Sequence, residues 1–65
     1  MIKRIRPDSS MIEELTYDDT TQELTVTFKK GGDYSYADVP EEVFEGMKAA
    51  PSAGKFFLAE IKGQY

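Results

Sequence analysis

The chain has 65 residues, contains no cysteine and no histidine, and carries a net charge of −4. This length allows one domain with a small core. The missing thiols and imidazoles exclude disulfides, thiolate metal sites and the usual nucleophile–base pairs of hydrolytic enzymes. The acidic balance argues against strong non-specific binding to nucleic acid or to an anionic membrane surface. We therefore expect apolar burial to stabilise the fold, without a metal or another cofactor.

The N-terminal segment is basic. Lys3, Arg4 and Arg6 lie in an arm over residues 1–8, which lacks the apolar core of a signal peptide. Short charged termini are usually disordered, so we expect a frayed arm, with a phosphate-contacting arm as the alternative. No apolar run approaches the about 20 residues that a membrane span needs. We therefore expect a cytoplasmic protein with no membrane partner.

Residues 9–19 are the first strand candidate. Leu15 and Tyr17 alternate with polar residues, whereas Ile12 falls out of step with them. A β-bulge near Glu13 and Glu14 would restore the phase. A short helix over the same residues is the alternative.

The next two segments predict a β-hairpin. Leu24, Val26 and Phe28 alternate with polar residues over 23–29, and Tyr34 and Tyr36 do so over 33–39. β-Branched and aromatic residues are typical of strands. The glycines between the two segments supply the turn.

The length of the hairpin loop decides which way Tyr34 and Tyr36 face. A two-residue loop, 31–32, places both on the open face of the sheet, where a nucleic-acid base could stack on them. A three-residue loop, 29–31, with Gly31 left-handed pairs Val26 with Tyr34 and Leu24 with Tyr36, so that the tyrosines face the core. The polar pattern favours the three-residue loop. In that register four polar side chains lie together on the solvent-exposed face of the sheet, namely Thr25, Thr27, Asp33 and Ser35.

The remaining residues predict two helices. Pro40 suits the start of the first helix, in which Gly46 indicates close packing against the sheet, and Pro51 ends it. Ser52 is a plausible N-cap for a second helix that ends near Gly63. The predicted fold is α+β: a three-stranded antiparallel meander followed by two helices packed on one face (β-β-β-α-α).

Two pairs of carboxylates could in principle act as acid and base. Asp18-Asp19 and Glu41-Glu42 are adjacent pairs, and adjacent side chains point in different directions on a strand or a helix. Both pairs fit turn and helix-N-terminal roles. We therefore expect no enzymatic activity.

An ordered set of short motifs runs through residues 9–65. It comprises Ser9-Ser10, Tyr17-Asp18, the strand with Leu24, Val26 and Phe28, Tyr34-x-Tyr36, Val39-Pro40, Val43-Phe44, Ala50-x-Ser52-x-Gly54, Phe56-Phe57 and Tyr65. This set resembles the KTSC domain family, whose small domains occur alone or at the C-terminus of some lysyl-tRNA synthetases. The resemblance implies a KTSC-like domain over 9–65, and RNA binding has been suggested for that family.

We therefore expect a non-enzymatic binding module with RNA as the ligand that the resemblance implies. The candidate nucleic-acid contacts are Lys3, Arg4, Arg6, Lys29, Lys30, Tyr34, Tyr36 and Lys55. The alternative is a protein-interaction or homodimerisation module of the phage or mobile-element adaptor type. Such a module would need no basic patch, and self-association would bury leftover apolar surface.

Overall fold

The computed structural model describes all 65 residues and shows one antiparallel sheet followed by a helical layer. The sheet has four strands in the order β1-β2-β3-β4, which are β1 (Ile2–Ile5), β2 (Ile12–Asp18), β3 (Glu23–Phe28) and β4 (Asp33–Tyr36). The helices are α1 (Glu41–Ala49) and α2 (Ala53–Phe56), and α2 continues directly as a π-helical turn (Phe57–Ile61). The predicted α+β class is confirmed. No helix is long and apolar enough to cross a membrane.

The basic arm contributes the strand that was not predicted. Ile2–Ile5 pairs antiparallel with β2, with Lys3 opposite Tyr17 and Ile5 opposite Leu15. The predictions of a three-stranded meander and of a frayed arm are therefore wrong. Ile2 and Ile5 are three residues apart and lie on opposite faces, so the arm shows no alternation of apolar residues.

The predicted bulge in β2 is confirmed. Ile12 pairs with Phe28 and Glu14 pairs with Thr27, which leaves Glu13 as the extra residue. The bulge returns Ile12 to the face that carries Leu15, and both side chains are fully buried.

The β3–β4 hairpin has the predicted three-residue loop. The Phe28 amide donates a hydrogen bond to the Gly32 carbonyl (3.1 Å), and the Gly31 amide donates one to the Phe28 carbonyl (3.0 Å). Gly31 has a φ of 98°, in the left-handed region that the loop requires. As predicted, Val26 lies opposite Tyr34 and Leu24 opposite Tyr36.

The core lies between one face of the sheet and the helical layer. Tyr17 is fully buried, stacks on Phe44 with ring centroids 5.0 Å apart, and donates a hydrogen bond of 2.6 Å to the Val39 carbonyl. Gly46 packs against the second helix and not, as predicted, against the sheet, since a Cβ at this position would lie 3.1 Å from the Phe56 ring. Eleven buried residues form one cluster: Ile12, Leu15, Tyr17, Leu24, Val26, Val39, Phe44, Met47, Ala53, Phe57 and Ile61.

The ends of the second helix also follow the predicted pattern. The Ser52 hydroxyl accepts a hydrogen bond from the Lys55 amide (3.3 Å), as an N-cap does. The Lys62 amide donates to the Phe57 carbonyl (2.9 Å), which closes the π-helical turn, and Gly63 follows with a φ of 85°. Phe57 and Ile61 therefore both face the core, and Lys62 lies where the helical layer ends.

Candidate binding groove

An open groove lies on the helix side of the sheet, beside the β3–β4 hairpin. Its volume is about 710 Å³, within the range of small-molecule and cofactor pockets. We call it the tyrosine groove, and it is lined by Ser10, Met11, Phe28, Lys30, Gly31, Tyr34, Tyr36 and Lys62.

The aromatic wall of the groove follows from the register of β4. Tyr34 and Tyr36 share a face with Val26 and Leu24, so they point toward the helical layer. β4 is an edge strand, however, and the helices do not cover its outer part. Tyr34 is therefore 56% exposed, while Tyr36 is half-buried.

The two tyrosines are held by edge-to-face contacts with two phenylalanines. Phe28 lies 5.4 Å from Tyr34 and 5.4 Å from Phe57, measured between ring centroids, and Phe57 lies 5.8 Å from Tyr36. Such pairs contribute roughly 0.5–1.5 kcal/mol each beyond their buried area. The contacts fix the orientation of the Tyr34 ring although much of its surface faces solvent.

Burial raises the pKa of Tyr36, and the neighbouring Tyr34 adds to the effect. A raised pKa keeps the Tyr36 hydroxyl protonated throughout the neutral range. The groove therefore contains a phenol that can donate a hydrogen bond to a ligand.

Two ammonium groups line the groove. Lys30 lies in the hairpin loop and Lys62 directly follows the π-helical turn, and both side chains are exposed. Neither lysine forms an ion pair, since the ion pairs of the protein involve the N-terminus, Lys3, Arg6 and Lys48. The groove thus combines an aromatic wall with two free positive charges.

The groove unites three of the eight sequence-predicted contacts, namely Lys30, Tyr34 and Tyr36. Lys62 was missed because a lysine in the last helical turn already has a structural explanation through the helix dipole. Only its position in the fold, beside Tyr36 and Phe28, distinguishes it from other surface lysines.

The other predicted contacts lie elsewhere. Lys3 is bound to Glu41 and lies 3.7 Å from Glu45, and the hydrogen bond that Lys3 donates to the Glu41 carboxylate raises the pKa of Lys3. Arg6 lies 3.6 Å from Glu14. Arg4 is exposed on β1, Lys29 is exposed in the hairpin loop, and Lys55 lines a separate cavity of about 380 Å³.

The opposite face of the sheet is acidic. Glu14, Thr27 and Asp33 form one cross-strand row, and Asp18 lies opposite Glu23 in another. Carboxylates repel phosphates, so this face does not suit a nucleic acid. The free positive charge beside exposed aromatic surface is on the helix side, in the tyrosine groove.

The groove and its surroundings lack the parts of a metal centre. No three carboxylates or other ligand side chains come close enough together to hold a metal ion. The chemistry that the groove does offer is stacking on Tyr34, hydrogen bonding from the tyrosine hydroxyls and ion pairing with Lys30 and Lys62.

Residues 8–65 match the KTSC domain family, and the chain belongs to it. The chain is 43% identical over 61 residues to a lysine–tRNA ligase of Trichormus variabilis and 39% identical over 61 residues to one of Nostoc punctiforme. These matches cover 94% of the chain but only 11% of each ligase, so the chain corresponds to a small part of them.

Relatives of similar size also exist. An uncharacterised protein of Stutzerimonas stutzeri is 38% identical over 64 residues, which cover 98% of the chain and 90% of that protein. The crystal structure of a KTSC domain protein from Yersinia pestis superposes with a TM-score of 0.91 at 34% identity, covering 98% of the chain and 90% of that structure. The four-stranded sheet with its helical layer is therefore shared with a solved member of the family.

Proposed function

We propose that this KTSC domain is a non-enzymatic binding module that holds a short unpaired segment of RNA in the tyrosine groove. One base stacks on the exposed ring of Tyr34, and the adjoining phosphates lie near Lys30 and Lys62. The observation that carries this proposal is an exposed aromatic ring in a groove with two unpaired lysines.

Stacking supplies most of the affinity in this proposal. A base on an aromatic side chain contributes about 1–3 kcal/mol, whatever its sequence. The ring of Tyr34 is already oriented by Phe28, so little conformational entropy is lost on binding. Unpaired RNA suits the groove better than a duplex because stacked base pairs do not expose the faces of their bases.

The net negative charge of the chain limits the length of RNA that it can contact. Two groove lysines neutralise about two phosphates, and the acidic face of the sheet repels the remainder of a long strand. A short contact at the groove is compatible with a net charge of −4, whereas a long electrostatic track is not. The lysine–tRNA ligase relatives act on an RNA by name, which supports RNA as the ligand class.

Fluorescence anisotropy with a labelled single-stranded RNA and with tRNA tests the proposal. Affinity should fall with salt along a shallow slope, about −1.4 in log K against log salt for two phosphates at about 0.7 each. Lys62→Glu and Lys30→Glu should each weaken binding several-fold. Lys55→Glu is the matched control, since it makes the same change of charge outside the groove.

Two outcomes would contradict the proposal. One is the absence of binding at low salt. The other is an equal loss of affinity in Lys55→Glu and Lys62→Glu, which would show that net charge, and not the groove, determines binding.

A further inference from the structure

The β4 edge of the sheet has free backbone hydrogen-bonding groups. The Phe28 amide bonds to the Gly32 carbonyl, and hydrogen-bonded pairs recur every second residue in an antiparallel ladder. Tyr34 and Tyr36 therefore direct their amides and carbonyls toward β3. Asp33 and Ser35 direct theirs outward, where no further strand follows.

The other edge of the sheet is protected. On β1 the outward positions are Ile2 and Arg4, because the Asp19 amide bonds to the Met1 carbonyl and thereby fixes the alternation. Arg4 places an exposed positive charge that forms no ion pair on this edge, which discourages the pairing of identical strands. β4 contains neither a proline nor a cation over Asp33–Tyr36.

We propose that the β4 edge pairs with the β4 edge of a second copy of this chain, antiparallel and about a two-fold axis at Ser35. The two four-stranded sheets then join into one sheet of eight strands. In this register Ser35 lies opposite Ser35, and Asp33 lies opposite Ala37 of the second copy.

Aromatic complementarity selects the register. Tyr34 of each copy lies opposite Tyr36 of the other, at the non-hydrogen-bonded positions where side chains come closest. The two-fold axis makes this pair twice. A slip of two residues along the strand replaces the two pairs by a single pair between the two Tyr34 residues, and it places Tyr36 opposite Gly32.

The charge along the paired strands is compatible with a second copy. Asp33 does not face another Asp33, because the two lie toward opposite ends of the paired strands.

The dimer and the tyrosine groove share the Tyr34 ring. Strand addition takes place in the plane of the sheet, but the cross-strand tyrosine pairs lie on the helix-side face, where the groove opens. The paired strands are only four residues long, so the interface belongs to the small, weak class and the dimer depends on concentration.

Sedimentation equilibrium of the RNA-free protein tests the inference. The mass should rise with concentration from 7.3 kDa toward twice that value. Ser35→Pro removes an outward-pointing amide, which an edge strand tolerates, together with the exposed hydrogen bond between the Ser35 and Thr25 hydroxyls, and should leave a folded monomer. Arg4→Pro, which removes an outward amide on the opposite edge, should still dimerise.

Amide hydrogen exchange provides a second measurement. The Ser35 amide should become protected as the concentration rises, while Ser35→Pro keeps the circular dichroism spectrum of the wild type. A chain that stays monomeric at every concentration overturns the inference, and so does a Ser35→Pro variant that dimerises like the wild type. No RNA is present in either measurement, so this result is independent of the RNA-binding experiment.

Discussion

Tyr34 lies directly opposite Val26 in the sheet, yet Val26 is fully buried and Tyr34 is 56% exposed. The register determines which face a side chain points to, but burial also depends on what covers that face. The helical layer covers β2 and β3 and stops beside Tyr36, where Phe57 packs against it. The outermost ring of the aromatic row is therefore left exposed to solvent.

Tyr34→Leu should weaken RNA binding by about 1–3 kcal/mol because leucine provides apolar surface but no aromatic face on which a base can stack. Tyr34→Phe should keep most of the affinity. Tyr34→Phe should unfold close to the wild-type urea midpoint, whereas Tyr34→Leu also loses the edge-to-face contact with Phe28 and should be less stable by roughly 0.5–1.5 kcal/mol. Anisotropy and urea titrations measure the two effects separately, and a Leu variant that binds as well as the wild type would rule out stacking.

The register of the sheet could be predicted from local patterns. The alternation of Leu24, Val26 and Phe28, together with the glycines of the hairpin, led to the three-residue loop and to the facing of both tyrosines. The bulge at Glu13 followed in the same way from the phase of Ile12. Both features depend on residues close together in the chain, which is why the sequence was sufficient.

The contacts that were not predicted join residues that are far apart in the sequence. Lys3 occupies a helix-side position in β1, where its charge is balanced by Glu41 from α1, 38 residues away. Lys62 reaches the groove only because the π-helical turn ends beside the β3–β4 hairpin. Neither relationship leaves a periodic signal in the sequence.

Tyr17→Phe should lower the free energy of unfolding by about 1–3 kcal/mol. The change keeps the ring that stacks on Phe44 but removes the hydroxyl that satisfies the buried Val39 carbonyl. Urea denaturation followed by circular dichroism measures the loss. A variant as stable as the wild type would mean that water or another donor reaches this carbonyl.

Gly31→Ala should destabilise the hairpin by about 1 kcal/mol because Gly31 has a φ of 98°, where a Cβ is strained, and nothing nearby would compensate. Gly31→Asn should cost less, since asparagine tolerates the left-handed region better than alanine does. Comparison of the two thermal midpoints isolates the backbone effect. An alanine variant at least as stable as the asparagine variant would contradict the three-residue loop.

Alkaline pH should destabilise the fold through the buried Tyr17 and the half-buried Tyr36. Burial raises the pKa of Tyr17, with Glu41 and Asp19 adding to it, and burial raises the pKa of Tyr36. In the unfolded chain both phenols ionise near pH 10, whereas in the folded chain they hold their protons to higher pH. Their contribution is therefore complete below about pH 10 and is lost as the pH rises through the folded pKa values.

Urea midpoints measured across the alkaline range test whether stability falls as the pH rises. Phenolate absorbance is followed in parallel to detect ionisation of the tyrosines. The double variant Tyr17→Phe/Tyr36→Phe should start less stable but decline less steeply with pH. Some decline should remain, since the pKa of Lys3 is also raised, by its hydrogen bond with Glu41, and this contribution is lost in the same direction. If the stability of the double variant falls as steeply with pH as that of the wild type, groups other than these two tyrosines cause the alkaline loss of stability.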